Sequence, residues 1–432
     1  MINPVLYLLV LALLFIILIF RFRHKTIFKT VLLYGAVGFV GAATYYILIV
    51  YVLQRYSDYQ NITVQPLLYL FSLFIIMFMP FNRLNISESN ILNSYKLIKI
   101  FKTICLASSL LSAILLVTDI SKLSSYNMAS FADVYENREI DTRNYIYYIN
   151  QLKYYISYFL IPLFFYFLRL GSKYKLYVFC AAFSIMASLI HQFTEGGRGT
   201  IVNYVNYIVF FYIIYYKLLK SEIQKILKRV TIIISTVLVF SLSIITWSRY
   251  STFETNEELI PGLASWVTLY VGEGPLAYSA YMWNSTVRTE GDNSFSFVKN
   301  LLGYNTFKDN FQRRTYWEAK QKIPNYIFYT VIGDVHSDIG PFFTALFFLF
   351  LALFVLHFIK KRNKKGWRLQ DLVILQLYFE FVTMGVMCNC YKTYDSQWLI
   401  VCTIITCMIL NLVESRNSSK LYAKSCHRNS SI

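Results

Sequence analysis

Apolar residues along the chain collect into runs of 17–23 residues separated by polar gaps. Eleven runs are long enough to cross a bilayer: 4–20, 31–53, 64–81, 103–119, 154–170, 176–193, 200–218, 230–247, 339–358, 370–390 and 397–413. A helix rising about 1.5 Å per residue needs about 20 apolar residues to cross ~30 Å of hydrocarbon. Leu259–Asn284 is also apolar, but Pro261, Gly262, Gly272, Gly274 and Pro275 interrupt it, and Glu273 sits near its centre. It reads as re-entrant or as lying on the outer interface, because broken backbone at that depth must line a polar cavity. The pattern predicts an all-α polytopic protein with about 11 transmembrane helices, forming one transmembrane domain over 1–414. Two long loops, about 120–153 and 249–338, share one face. The Ser-, Asn- and Lys-rich tail 415–432 is expected to be disordered. No internal repeat is visible.

Charge orients this pattern. With the N-terminus outside, the inner gaps hold 26 of the 41 basic residues against five acids, a net of +21. The outer gaps hold the other 15 bases and 18 acids, a net of −3. That asymmetry is the positive-inside rule, and it places 249–338 outside and the C-terminus in the cytoplasm. If Leu259–Asn284 spanned, the basic run Lys360–Arg368 would face outward. The basic excess therefore belongs to anionic headgroups rather than to nucleic acid. Pro4–Phe20 is followed by Arg21 and Arg23 without a small-residue cleavage site, and reads as a retained helix. Seven cysteines, most of them inside apolar runs, form no disulfide or zinc pattern.

The sharpest local motif is Thr194-Glu195-Gly196-Gly197-Arg198-Gly199, just before the seventh run. A helix opening there would point its unpaired amides and positive dipole end outward. Three glycines admit close backbone approach, and Arg198 adds a planar fork for an anion such as a diphosphate. The bland alternative is a tight turn with Arg198 reaching a lipid headgroup. Arg249, at the end of the eighth run, either caps the helix dipole or binds an anion. Arg313-Arg314 is either a second clamp, with Arg288 nearby in the same loop, or a solvated pair. Glu273, on a Gly/Pro turn, could accept a proton, bind a sugar hydroxyl or cap the next helix. Asp334, His336 and Asp338 alternate as strand or loop ligands would. Asp338 is better explained as the N-cap of the ninth run, so no metal is expected, and His336 stays open as a base. Glu380, near mid-membrane, is a functional candidate by default.

The Gly-Gly-Arg-Gly turn, Ser248-Arg249, Tyr270-Val271-Gly272-Glu273-Gly274-Pro275, and then Asn325, Thr330, Gly333, Asp334 and Asp338-Ile339-Gly340 together resemble the oligosaccharide repeat-unit polymerases, the Wzy-type O-antigen and capsule polymerases of bacteria. His336 and Ser337 are more polar than that pattern leads one to expect. The resemblance covers most of the chain. It implies a glycosyltransferase of the bacterial inner membrane, acting at its periplasmic face on undecaprenyl-diphosphate-linked oligosaccharides. No cofactor is implied. A flippase and a chain-length regulator are the implied partners. Arginines and a helix N-terminus would compensate the diphosphate leaving group, with Glu195, Glu273 or His336 as candidate base. An O-antigen ligase has the same general architecture and donor. A transporter, with Glu380 as a coupling site, would be expected to show internal repeats.

Overall fold

The computed structural model describes residues 4–53, 59, 62–93, 95–125, 145–194, 198–232, 236, 240, 243, 259–304, 307, 310–324, 327–392 and 394–429. Among these residues the structure is helical with no strand, apart from one isolated bridge between Ile91 and Trp367. The helices are α1 (Pro4–Arg21), α2 (Thr26–Tyr46, continued by a π-helical turn Ile47–Val52), α3 (Val64–Asn82), α4 (Ile98–Ser125), α5 (Tyr145–Leu170), α6 (Lys175–Thr194), α7 (Arg198–Tyr215) and α8 (221–232). They continue with α9 (Leu259–Ala277, with a π-helical turn Tyr278–Met282), α10 (Ser296–Leu301), α11 (Asn310–Gln321), α12 (Val331–Lys365), α13 (Leu369–Met384) and α14 (Tyr394–Asn429).

Eight of the described helices, α1, α2, α3, α4, α6, α7, α12 and α14, contain stretches long and apolar enough to cross a membrane. Tyr158–Leu170 within α5 is a shorter apolar helix. Large apolar side chains such as Leu13, Ile17, Phe350 and Phe354 are exposed along α1 and α12. In water so much open apolar surface would be costly; in lipid it is the proper exterior. The chain is a polytopic membrane protein.

The run 230–247 lies mostly outside the described residues. The run 370–390 is a 16-residue helix, α13, that stops before Gly385, whose carbonyl instead accepts the amide of Val331 at 2.9 Å. The interrupted stretch 259–284 is a continuous helix, α9, rather than a broken one. Its glycines serve packing. A Cβ on Gly272 would lie 2.2 Å from the Gly41 carbonyl carbon, so α9 meets α2 backbone to backbone. The tail expected to be disordered continues α14 to Asn429, through a sequence free of Pro and Gly.

The chain divides into two compact units, each drawn from separated stretches. Unit 1 comprises Met1–Asn85, Phe253–Lys361 and Tyr378–Trp398. Its core is aromatic: Phe15 of α1 packs against Phe39, Phe71 and Phe78 of α2 and α3 at centroid distances of 4.8–5.9 Å. Unit 2 comprises Ile86–Thr252, Arg362–Leu377 and Leu399–Ile432. In it α4 packs along α6, and Ser108, Ser112, Ser184 and Ser188 are buried. The α6 serines return their hydroxyls to their own helix, to the carbonyls of Cys180 and Ser184.

Candidate functional site

The polar core of unit 1 is built on the first turns of α12. Thr330 starts this helix by accepting the Gly333 amide on its hydroxyl at 3.0 Å. Ten residues later Gly340, at φ 80°, breaks it; Pro341 then opens the long apolar part. A positive φ suits glycine, and the carbonyl of Pro341 is held by the Tyr69 hydroxyl. Asp334, His336 and Asp338 therefore lie on a helix, not on an extended strand or loop, and the cap is Thr330 rather than Asp338. The helical geometry places Asp334 and Asp338, one turn apart, on a common face.

Each of these side chains is buried and held. Asp334 pairs with Lys392 at 2.8 Å, and the ammonium also lies 5.4 Å from the Tyr329 ring centroid. Asp338 closes the turn 289–294: it accepts the Thr289 hydroxyl and the amides of Asn293 at 3.1 Å and Ser294 at 2.7 Å. His336 sits among Tyr69, Tyr278 and Trp283, with its Nδ1 2.7 Å from the Tyr278 hydroxyl. Its Nε2 is buried and has no hydrogen-bond partner among the described residues. Arg288 donates to the His336 carbonyl at 3.4 Å, and Gln321 donates to both Ser337 and Val287 at 2.9 Å.

A second hub is Asp292. It binds the ammonium of Lys299 and the indole N–H of Trp317, while its carbonyl accepts Arg313 at 2.7 Å. Arg313 is thus buried, and burial pulls its pKa down while Asp334, Asp292 and Asp338 oppose the shift. Arg314 is exposed. The two arginines do not form the solvated pair that their adjacency suggests. Successive helix positions point about 100° apart, so only one can face the core. Glu273 lies inside α9, not on a turn. It accepts the Tyr59 hydroxyl at 3.2 Å and the Phe328 amide at 2.9 Å. Burial, reinforced by this carboxylate, pushes the Tyr59 hydroxyl well above its ordinary pKa, so it remains a donor. Glu380 is buried and accepts the Tyr391 hydroxyl.

No family model, curated protein or solved structure matches the chain. Its chemistry is therefore read from its own residues.

Eight of the residues singled out in the sequence, Glu273, Arg288, Arg313, Arg314, Asp334, His336, Asp338 and Glu380, belong to unit 1. Arg198 and Gly199 belong to unit 2, where they open α7 two residues before the expected start at Thr200. The motif does meet a helix N-terminus. Glu195, Gly196, Gly197 and Arg249 lie outside the described residues. No group of three or more His, Cys, Asp or Glu among the described residues is placed to hold a metal ion, and the six described cysteines are free.

Sequence reasoning passed over several partners. Tyr278, Lys392, Asp292 and Trp317 carry no local motif and acquire meaning only through contacts at long sequence separation. The same holds in unit 2 for Asp119, which is buried and pairs with His191 at 2.9 Å. An acid at the end of an apolar run was the available clue.

Proposed function

We propose that this protein is a membrane glycosyltransferase that polymerises undecaprenyl-diphosphate-linked oligosaccharide repeat units at the periplasmic face of the bacterial inner membrane. On this reading eleven spans place the N-terminus and the segment 249–338 outside and the C-terminus in the cytoplasm. The charge asymmetry of the gaps supports that orientation. The observation that carries the chemistry is the state of the three candidate bases. Glu273 has both carboxylate oxygens engaged, by Tyr59 and Phe328, and Glu195 lies outside the described residues. His336 alone combines a fixed ring with a nitrogen that has no partner among the described residues.

With Nδ1–H donating to Tyr278, Nε2 is the acceptor. The hydroxyl of the acceptor sugar gives its proton to Nε2 as its oxygen bonds to the anomeric carbon of the donor. The bond from that carbon to the diphosphate oxygen breaks, and the diphosphate leaves with the electron pair. The guanidinium of Arg288, beside His336, compensates the leaving charge without protonating it. Polymer growth moves the chain onto the incoming unit, so no nucleotide sugar is needed outside the cell.

Deleting the gene and resolving surface polysaccharide on a gel tests this reading. The expected result is loss of the ladder, leaving acceptors that carry a single repeat unit. Loss of all capped acceptors would replace polymerase by ligase. An unchanged ladder would remove the glycosyltransferase reading altogether.

A further inference from the structure

The short helix α10 turns an apolar face away from the protein. Along Ser296-Phe-Val-Lys-Asn-Leu-Leu-Gly-Tyr304, Phe297 points inward. Val298, Leu301, Leu302 and Tyr304 point outward, with Leu301 and Leu302 each 65% exposed and Tyr304 67% exposed. Positions 298, 301 and 302 follow the i, i+3, i+4 spacing of one helix face. Four large apolar side chains open on one side of a nine-residue segment are expensive in water, at about 25 cal/mol per Å² of exposed apolar surface.

The anchorage of this segment places it against long apolar helices. The Gln397 side chain, in the first turns of α14, accepts the Phe297 amide at 2.8 Å and the Ser296 hydroxyl at 3.2 Å. The Phe297 ring meets Trp398 edge-on at 4.7 Å, two residues inside the apolar stretch that begins at Ser396. Phe295 meets Phe347 of α12 at 5.7 Å. Phe347 lies six residues past Pro341, about 9 Å into that helix at ~1.5 Å per residue. The segment is therefore pinned against two membrane-length helices, one of which carries exposed Phe342, Phe343 and Phe350 along its length. The only cation on α10, Lys299, is turned back onto Asp292 and does not interrupt the apolar face.

We propose that Val298, Leu301, Leu302 and Tyr304 form an interfacial anchor that dips into the acyl region of the bilayer and holds the polar core of unit 1 at the headgroup surface. Tyr304 is the residue suited to the boundary, with an apolar ring and a polar tip. Short amphipathic elements of this kind insert about 5–10 Å. The anchor requires only the membrane-spanning helices and does not rest on the glycosyltransferase reading. Its consequence for the core is geometric. Arg288 and the turn closed by Asp338 lie within sixteen residues of this anchor, so a ligand at the headgroup level would meet them without leaving the membrane surface.

The test is depth-dependent quenching in nanodiscs of phosphatidylcholine whose acyl chains carry bromine. Leu302→Trp and, separately, Tyr304→Trp add one indole to the six native ones. The added emission should be blue-shifted, should lose most of its intensity in brominated lipid, and should be nearly untouched by aqueous iodide. Phe350→Trp, in the apolar body of α12, must show the same response, which checks the helix-bundle reading separately. Added emission quenched by iodide and not by bromolipid would overturn the anchor. Protection from both quenchers would also overturn it, because a second copy or another protein would then cover the face.

Discussion

The ion pair between Lys392 and Asp334 offers the most direct test of the core. Lys392→Met keeps the length of the stem and removes the ammonium. It leaves a carboxylate that is 1% exposed without its nearest counter-charge. Removing one partner of a buried pair costs about 3–5 kcal/mol, because the remaining charge has lost its compensation. Two features favour the lower end. The lysine side chain is 21% exposed, so water reaches one end of the pair. The guanidinium of Arg313 also acts on Asp334. We therefore expect a loss of about 3 kcal/mol, a large share of the roughly 5–15 kcal/mol that holds a typical domain. Removing the stranded charge as well, in Lys392→Met with Asp334→Asn, should restore most of that loss. The measurement is reversible unfolding in mixed micelles of increasing SDS fraction, followed by tryptophan emission and compared across the double-mutant cycle. A single variant within about 0.5 kcal/mol of the parent would refute the buried-pair reading. So would a double variant no better than the single.

Gly272→Leu should abolish accumulation in the membrane, because even a Cβ there lies 2.2–2.4 Å from backbone atoms of Gly41 and Ala42. Gly171→Ala meets nothing within 4 Å and carries only the strain of φ 94°, so it should accumulate normally with a loss of about 1 kcal/mol; equal immunoblot signals for the two variants would contradict the close α2–α9 contact. If the start of α7 holds the donor diphosphate, as the glycine-rich motif suggests, Arg198→Ala should insert at normal abundance and lose polymer. A contact realised in the transition state is worth about 2–4 kcal/mol, or a roughly 30- to 1000-fold drop in rate. Arg198→Lys should recover part of it, and full-length polymer from Arg198→Ala would make this residue a headgroup contact.

Much of the helical layout was legible in the apolar runs, because in lipid the run length that crosses the hydrocarbon is fixed by geometry. The start of α7 near Arg198 was legible for a similar reason: glycines and a polar turn end one apolar run and an apolar stretch begins the next. The α9 helix was not. Pro and Gly read as breakers where only local chemistry is considered, but Gly272 is there to let two backbones touch, and the partner that demands this, Gly41, lies more than 200 residues earlier. The helical start of α12 was hidden by its charges. Asp334, His336 and Asp338 interrupt an apolar pattern, and a sequence shows no reason to bury them. The reasons are Lys392, Tyr278 and the amides of Asn293 and Ser294, each more than 40 residues away.

The same long-range accounting separates candidate chemistry from scaffolding in unit 1. Asp338 spends its carboxylate on two amides and a hydroxyl, Glu273 spends both oxygens, and Asp292 binds an ammonium and an indole. These acids are committed to hydrogen bonds within the protein. His336 differs because its helix, Tyr278 and three aromatic faces fix the ring while leaving one nitrogen unpartnered among the described residues. A buried polar atom left in that state carries a desolvation cost of about 1–3 kcal/mol, which a substrate hydroxyl would relieve. That cost is the physical reason to look for the acceptor sugar at His336 before looking at any carboxylate of the unit.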